Sequence, residues 1–147
     1  DNVSITGVDL KIPKRDAVDD ARRCLQELSP SLELSVQVGD VTKLSDFKDG
    51  TFDAIVCCLT LCSVPDPAVA VAEMKRVLKP KGGTFGYVEH VAVNDDEPYR
   101  FLEWQQRVLD PVQNVVADNC HLHRPTPETV ANVFGTADGV VARQVVS

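Results

Sequence analysis

Two aspartates stand at the ends of strand-like runs, and they are the first residues here that could do chemistry. Asp9 closes Val3-Ser4-Ile5-Thr6-Gly7-Val8-Asp9 and is followed by Leu10. An acid at the carboxyl end of a strand can take both hydroxyls of a ribose in a bidentate contact, or serve only as a turn cap. Asp40 follows a second run as Gly39-Asp40-Val41, a turn that also occurs in many ordinary loops. His90 ends a third run, where an imidazole can act as a general base or as a structural residue. Cys57 and Cys58 are neighbours within a fourth run. Adjacent strand residues face opposite sides, so these two thiols are not expected to share a metal. Cys120-His121-Leu122-His123 gathers ligand types without the paired spacing of a zinc site, and no metal centre is expected from it.

These residues need elements to place them. Leu32, Leu34, Val36 and Val38 alternate with polar residues, which predicts an edge strand with one wetter face. Ile55 to Leu59 is a short apolar run, as in a parallel strand covered on both faces. Asp66 is an N-cap with Pro67 at the first helical position, and Pro80, Gly82 and Gly83 stop the helix that follows. Thr84 to Val91 then returns as a strand. A helix is predicted over Arg15 to Leu28 with Ala17, Ala21, Cys24, Leu25 and Leu28 along one face. An acidic loop, Asn94-Asp95-Asp96-Glu97, precedes a long helix from Pro98 to about Asp118, interrupted near Pro111. A shorter helix runs from Thr126-Pro127 to Gly135. Alternating strands and helices predict an α/β, doubly wound, mostly parallel sheet. Ligands of such sheets bind outside the carboxyl ends of the strands, which points to Asp9, Gly39-Asp40-Val41, Cys58-Leu59-Thr60 and Glu89-His90.

A chain of 147 residues suits one domain over residues 1–147, with 44% hydrophobic and 25% charged residues, ordinary for a globular protein. The net charge of −7 argues against a nucleic-acid partner, which calls for a basic face. Five cysteines, three of them at Cys57, Cys58 and Cys62, favour reduced, buried thiols over a disulfide framework. A reducing compartment follows, the cytosol or the cytosolic face of a membrane. The chain opens into one strand-like run and closes in another, Val140 to Val146, so part of a larger domain is expected.

Phe52-Asp53, Val64-Pro65-Asp66-Pro67 and Arg76-Val77-Leu78-Lys79-Pro80-Lys81-Gly82-Gly83, in that order, resemble class I S-adenosylmethionine-dependent methyltransferases of the type 11 kind. The resemblance implies a Rossmann-like fold with S-adenosyl-L-methionine as cofactor. It implies that Asp9 takes the ribose and that Leu10 packs on the adenine. Asp40 would accept from the adenine amino group while the Val41 N–H meets a ring nitrogen. Cys58 and Leu59 would flank the methionine part. Trp104 to Pro111, Asp118 to Arg124, Cys58 to Val64 and Glu89-His90-Val91 narrow it to the methyltransferase-like 7 group, implied to be thiol S-methyltransferases at endoplasmic reticulum and lipid-droplet membranes. Phe101, Gln105, Val108 and Val112 would then form the inner stripe of a helical cover over the sheet.

The chain departs from that pattern where the family has a first strand and a glycine-rich loop. Neither is found, and two half-sheets with unpaired inner edges are expected. The group's membrane-anchoring segment is likewise not among these residues, so membrane association is expected only through such a segment. The implied activity is methyl transfer to a small-molecule acceptor, a thiol above others, with His90 as the candidate base. A quinone-biosynthesis-type C- or O-methyltransferase and a non-catalytic methyltransferase-like interaction module are the alternatives. A nucleotide-binding dehydrogenase also carries an acid after its second strand. It does not account for Gly39-Asp40-Val41 together with the Arg76 to Gly83 run.

Overall fold

The computed structural model describes residues 3–11, 13–92, 99–117 and 119–135. The chain divides into two compact units, Asp1–Ser45 and Asp46–Ser147. The first contains β1 (Val3–Asp9), α1 (Arg15–Leu28) and β2 (Leu32–Val38). The two strands pair in parallel, from Val3 opposite Leu32 to Asp9 opposite Val38. This is a right-sized β-α-β crossover, and its parallel pairing requires the intervening helix. The apolar stripe expected on α1 is mostly exposed, and the helix has no buried residue. Leu25 is half-buried, whereas Leu28 is 79% exposed. A two-stranded sheet is too narrow to cover a helix of fourteen residues.

The second unit contains β3 (Ala54–Cys58), α2 (Pro67–Val77), β4 (Thr84–Val88), α3 (Arg100–Val116) and α4 (Thr126–Phe134). Strands β3 and β4 are again parallel, with Ala54 opposite Thr84 and Cys58 opposite Val88. The expected doubly wound parallel sheet is thus present as two two-stranded parallel sheets. Strand β4 ends at Val88, three residues short of the expected Val91, so Glu89 and His90 lie just beyond it. The Asn94 to Glu97 loop and the Val140 to Val146 run lie outside the described residues.

Local chemistry explains why α2 sits where it does. The Asp66 carboxylate accepts from the N–H groups of Ala68 and Val69 at 3.0 and 3.1 Å, and Pro67 opens the helix. At the other end, a Cβ on Gly83 would stand 2.4 Å from the Lys79 carbonyl oxygen, so only glycine fits that stop. Backbone bonds from Gly50 to Arg76 and from Phe52 to Val77 register the entry of β3 against the end of α2. The core gathers Leu61, Cys62, Val64, Ala70, Val71, Met74, Val77 and Leu78 with Cys120 and Val130, and Phe134 of α4 stacks on Phe85 of β4 at 5.1 Å.

Two expectations fail here. Strand β3 is not covered on both faces: Cys57 is buried, but Val56 is 74% exposed and Cys58 is exposed. Helix α3 does not turn its apolar stripe inward. Phe101, Val108 and Val112 are exposed, and the half-buried positions are Glu103, Gln105, Gln106, Asp110, Gln113 and Asn114. The polar face docks because its side chains satisfy backbone groups. Gln106 Nε2 donates to the Val91 carbonyl at 2.9 Å, and Asp110 accepts from the N–H groups of Leu122 and His123. No helix among the described residues is long and apolar enough to cross a membrane.

Candidate functional site

The parallel pairing of β1 and β2 brings Asp9 and Asp40 to the same carboxyl edge. Asp9 faces Val38 in the register, and Asp40 lies two residues past Val38. Both aspartates are exposed, and each spends one oxygen on its own turn. Asp9 Oδ1 accepts from the Lys11 N–H at 3.0 Å. Asp40 Oδ1 accepts from the Thr42 N–H at 2.8 Å and the Thr42 hydroxyl at 2.7 Å. The Thr42 hydroxyl, then its N–H, hold the Asp40 carboxyl below the usual carboxylate range. Gly39 separates these turns with little room, since a Cβ there would stand 2.8 Å from Val8 Cγ1. Leu10 is 62% exposed beside Asp9, and Val41 is half-buried. Two acceptors and an apolar platform on one strand edge suit a nucleoside.

In the second unit, Cys58 ends β3 and Leu59 follows in the left-handed region, with φ of 50°. Leucine adopts that conformation only when its surroundings enforce it. The enforcing group is Glu89. Its Oε1 accepts from the N–H groups of Thr60 and Leu61 at 2.8 and 2.9 Å, and its Oε2 accepts from Cys62 N–H at 3.1 Å. The Cys57 thiol adds a fourth donor at 3.3 Å. Burial, then the Glu89 charge, push that thiol up to about 12. Carbonyls of the same loop are also held. Arg124 donates to Leu61 and Val64 at 2.9 and 2.6 Å, and the His121 N–H donates to Cys62 at 2.9 Å.

His90 is half-buried, with Nδ1 at 3.2 Å from Cys120 Sγ. Cys120 in turn lies against Cys62, whose thiol is pushed up to about 11 by burial. His121 pairs instead with Asp110 at 3.1 Å. Burial alone would raise Asp110, but hydrogen bonds from His121 and from the Leu122 and His123 N–H groups outweigh it and lower the carboxyl. The run Cys120-His121-Leu122-His123 therefore sends its side chains to different places.

The family described as a methyltransferase domain matches residues 2–86. The chain belongs to the methyltransferase-domain family. It is 41% identical over 83 residues to a thiol S-methyltransferase, TMT1B, of Rattus norvegicus, covering 56% of this chain and 32% of that protein. It is 36% identical over 88 residues to a demethylmenaquinone methyltransferase of Streptomyces avermitilis, covering 58% and 37%. A solved structure from Bacillus halodurans C-125, described as a methyltransferase, superposes with a TM-score of 0.61 at 23% identity, over 89% of this chain and 52% of that one. That likeness shows the Rossmann-like class I methyltransferase fold. The chain spans about a third of the length of the curated relatives it matches.

For a methyltransferase domain, the structure brings together Asp9, Leu10, Gly39, Asp40 and Val41 in the first unit. Cys58, Leu59 and His90 belong to the second, along the carboxyl ends of β3 and β4. Of the thiols expected to be buried, Cys58 is exposed; all five cysteines are free. Glu89, already among the carboxyl-end residues that the sequence points to, organises the second unit together with Asp110 and Arg124, which the sequence does not mark. Glu89 had one visible signal, an acid just past a strand end. Asp110 and Arg124 act on backbone groups 12 and 63 residues away, which no local pattern records.

Proposed function

We propose that this chain forms part of an S-adenosylmethionine-dependent methyltransferase acting on a small thiol. The observation that carries this reading is the shared strand edge of Asp9 and Asp40, in a chain of the methyltransferase-domain family. These groups fit the cofactor: Asp9 would accept from the ribose hydroxyls and Asp40 from the adenine amine, Leu10 would meet the adenine face, and the Val41 N–H would donate to a ring nitrogen. The resemblance assigns Cys58 and Leu59 to the methionine part. When bound, the cofactor supplies a methyl group activated by its sulfonium. The chain's own contribution is orientation, a class of effect that can lower a barrier by about 7–11 kcal/mol. A thiol ionises near pH 8.5 and needs little help from a base. With His90 Nδ1 occupied by Cys120, any proton acceptance would fall to Nε2.

The similarity to thiol S-methyltransferases favours a thiol, and the demethylmenaquinone relative supports a quinol as the second reading. Two measurements on the intact protein test both. Calorimetric titration with S-adenosylmethionine should show Asp9→Ala weakening binding more than about tenfold, or 1.4 kcal/mol. Unchanged affinity removes Asp9 from the site. Methyl transfer to alkyl thiols, phenols and quinols should favour thiols, and activity on quinols alone moves the assignment to the second reading.

A further inference from the structure

Cys62 Sγ and Cys120 Sγ lie 3.5 Å apart, and His90 Nδ1 lies 3.2 Å from Cys120 Sγ. All three potential ligand atoms fall within 4.8 Å of one another. A tetrahedral zinc ion, with Zn–S near 2.3 Å and Zn–N near 2.0 Å, spaces two sulfurs by roughly 3.8 Å and a sulfur and nitrogen by roughly 3.5 Å. The Cys62–Cys120 and His90–Cys120 separations lie within a few tenths of an ångström of those edges, and the third pair, His90 and Cys62, lies within 4.8 Å. A disulfide would demand a separation of about 2.05 Å, much further from what is found.

The trio is assembled from three segments: the loop after β3, the residue pair past β4, and the turn after α3. Spacing along the chain therefore could not reveal it. Its frame is held by bonds that need no ion. His121 N–H donates to the Cys62 carbonyl at 2.9 Å, Asn119 Nδ2 donates to Ser63 O at 2.7 Å, and Glu89 fixes the Cys62 N–H. A site whose ligands are prepositioned in this way loses little freedom on binding. Both thiols are buried while His90 is partly exposed, which gives an ion a way in from the imidazole side.

We propose that Cys62, His90 and Cys120 form a binding site for one borderline-soft divalent ion of the zinc class, with a fourth position open to water or a thiolate. Binding forms two metal–thiolate bonds and one metal–imidazole bond, and it releases the two thiol protons to solvent. Three protein ligands with one open position is the arrangement of catalytic rather than structural zinc. An ion on Nδ1 excludes the base role considered for His90. The site stands whichever methyl acceptor the protein takes.

The test uses the intact, reduced protein under anaerobic conditions, with Zn²⁺ content measured after dialysis and Co²⁺ as a spectroscopic probe. One ion per chain is expected, with a thiolate-to-cobalt charge-transfer band and tetrahedral d–d absorption. Cys62→Ser, Cys120→Ser and His90→Asn should each weaken zinc affinity by more than the roughly 10–100-fold typical of outer-shell partners. Cys24→Ser, at an exposed thiol in the other unit, should leave affinity unchanged. No retained zinc in the reduced wild-type protein overturns the proposal without recourse to any variant. So does a cobalt–thiolate band that survives in the Cys62→Ser/Cys120→Ser double variant, or a native mass showing these two thiols joined as a disulfide.

Discussion

Removing the Glu89 carboxylate should unmake the loop that follows β3. Glu89→Ala orphans the N–H groups of Thr60, Leu61 and Cys62 together with the Cys57 thiol. A hydrogen bond to a charged group is worth about 1.5–3 kcal/mol, and a buried donor left without a partner costs about 1–3 kcal/mol. Three backbone donors at the low end give about 3 kcal/mol. The high end is not expected, because the site is only part-buried and water can reach some of these groups. Against a total stability of about 5–15 kcal/mol, even the low figure is large. Glu89→Gln keeps one acceptor but sets an amide donor against another, so about half the effect is expected. Denaturant unfolding of the intact protein measures the loss, and amide exchange at residues 60–62 localises it. A loss below about 1 kcal/mol from Glu89→Ala, with unchanged exchange at those amides, refutes the hub reasoning.

Cys57 and Cys58 should differ sharply towards iodoacetamide near pH 8, because Cys57 is buried with its thiol at about 12, whereas Cys58 is exposed. A mass-spectrometric time course checks this, and equal rates contradict it. Asp110 is held below its ordinary value, so its contribution to stability is present above about pH 4 and fades as pH falls through the lowered value. The stability gap between wild type and Asp110→Asn should therefore shrink as pH falls below about 4, and a pH-independent gap rules this out.

Helices α1 and α2 start where the sequence places them because their signals are local: spacing, the Asp66 cap and the glycine stop. The edge placement of Asp9 and Asp40 is legible for the same reason, since Asp9 closes one strand-like run and Asp40 follows another. Helix α3 shows where such reading fails. Its extent is clear, but which stripe turns inward depends on the Leu122 and His123 N–H groups that Asp110 accepts from, which hydrophobicity does not record. Strand β3 reads as doubly covered because its residues are apolar, yet Val56 is exposed. The meeting of Cys62, His90 and Cys120 spans up to 58 residues of chain, beyond any motif window.

The Glu89 tether also constrains the order of folding events. Its contacts span 27 to 32 residues, so the loop after Cys58 gains these hydrogen bonds only once β4 has paired with β3 and carried Glu89 into place. Closing a segment of that length has an entropic cost that must be met first. An excised peptide over residues 57–64 would keep only local bonds, such as those from the Ser63 and Val64 N–H groups to the Thr60 carbonyl, with nothing to hold the positive φ of Leu59. The geometry of this loop is a property borrowed from a distant strand, and fraying of the last residue of β4 would surrender it while the rest of the unit stayed folded.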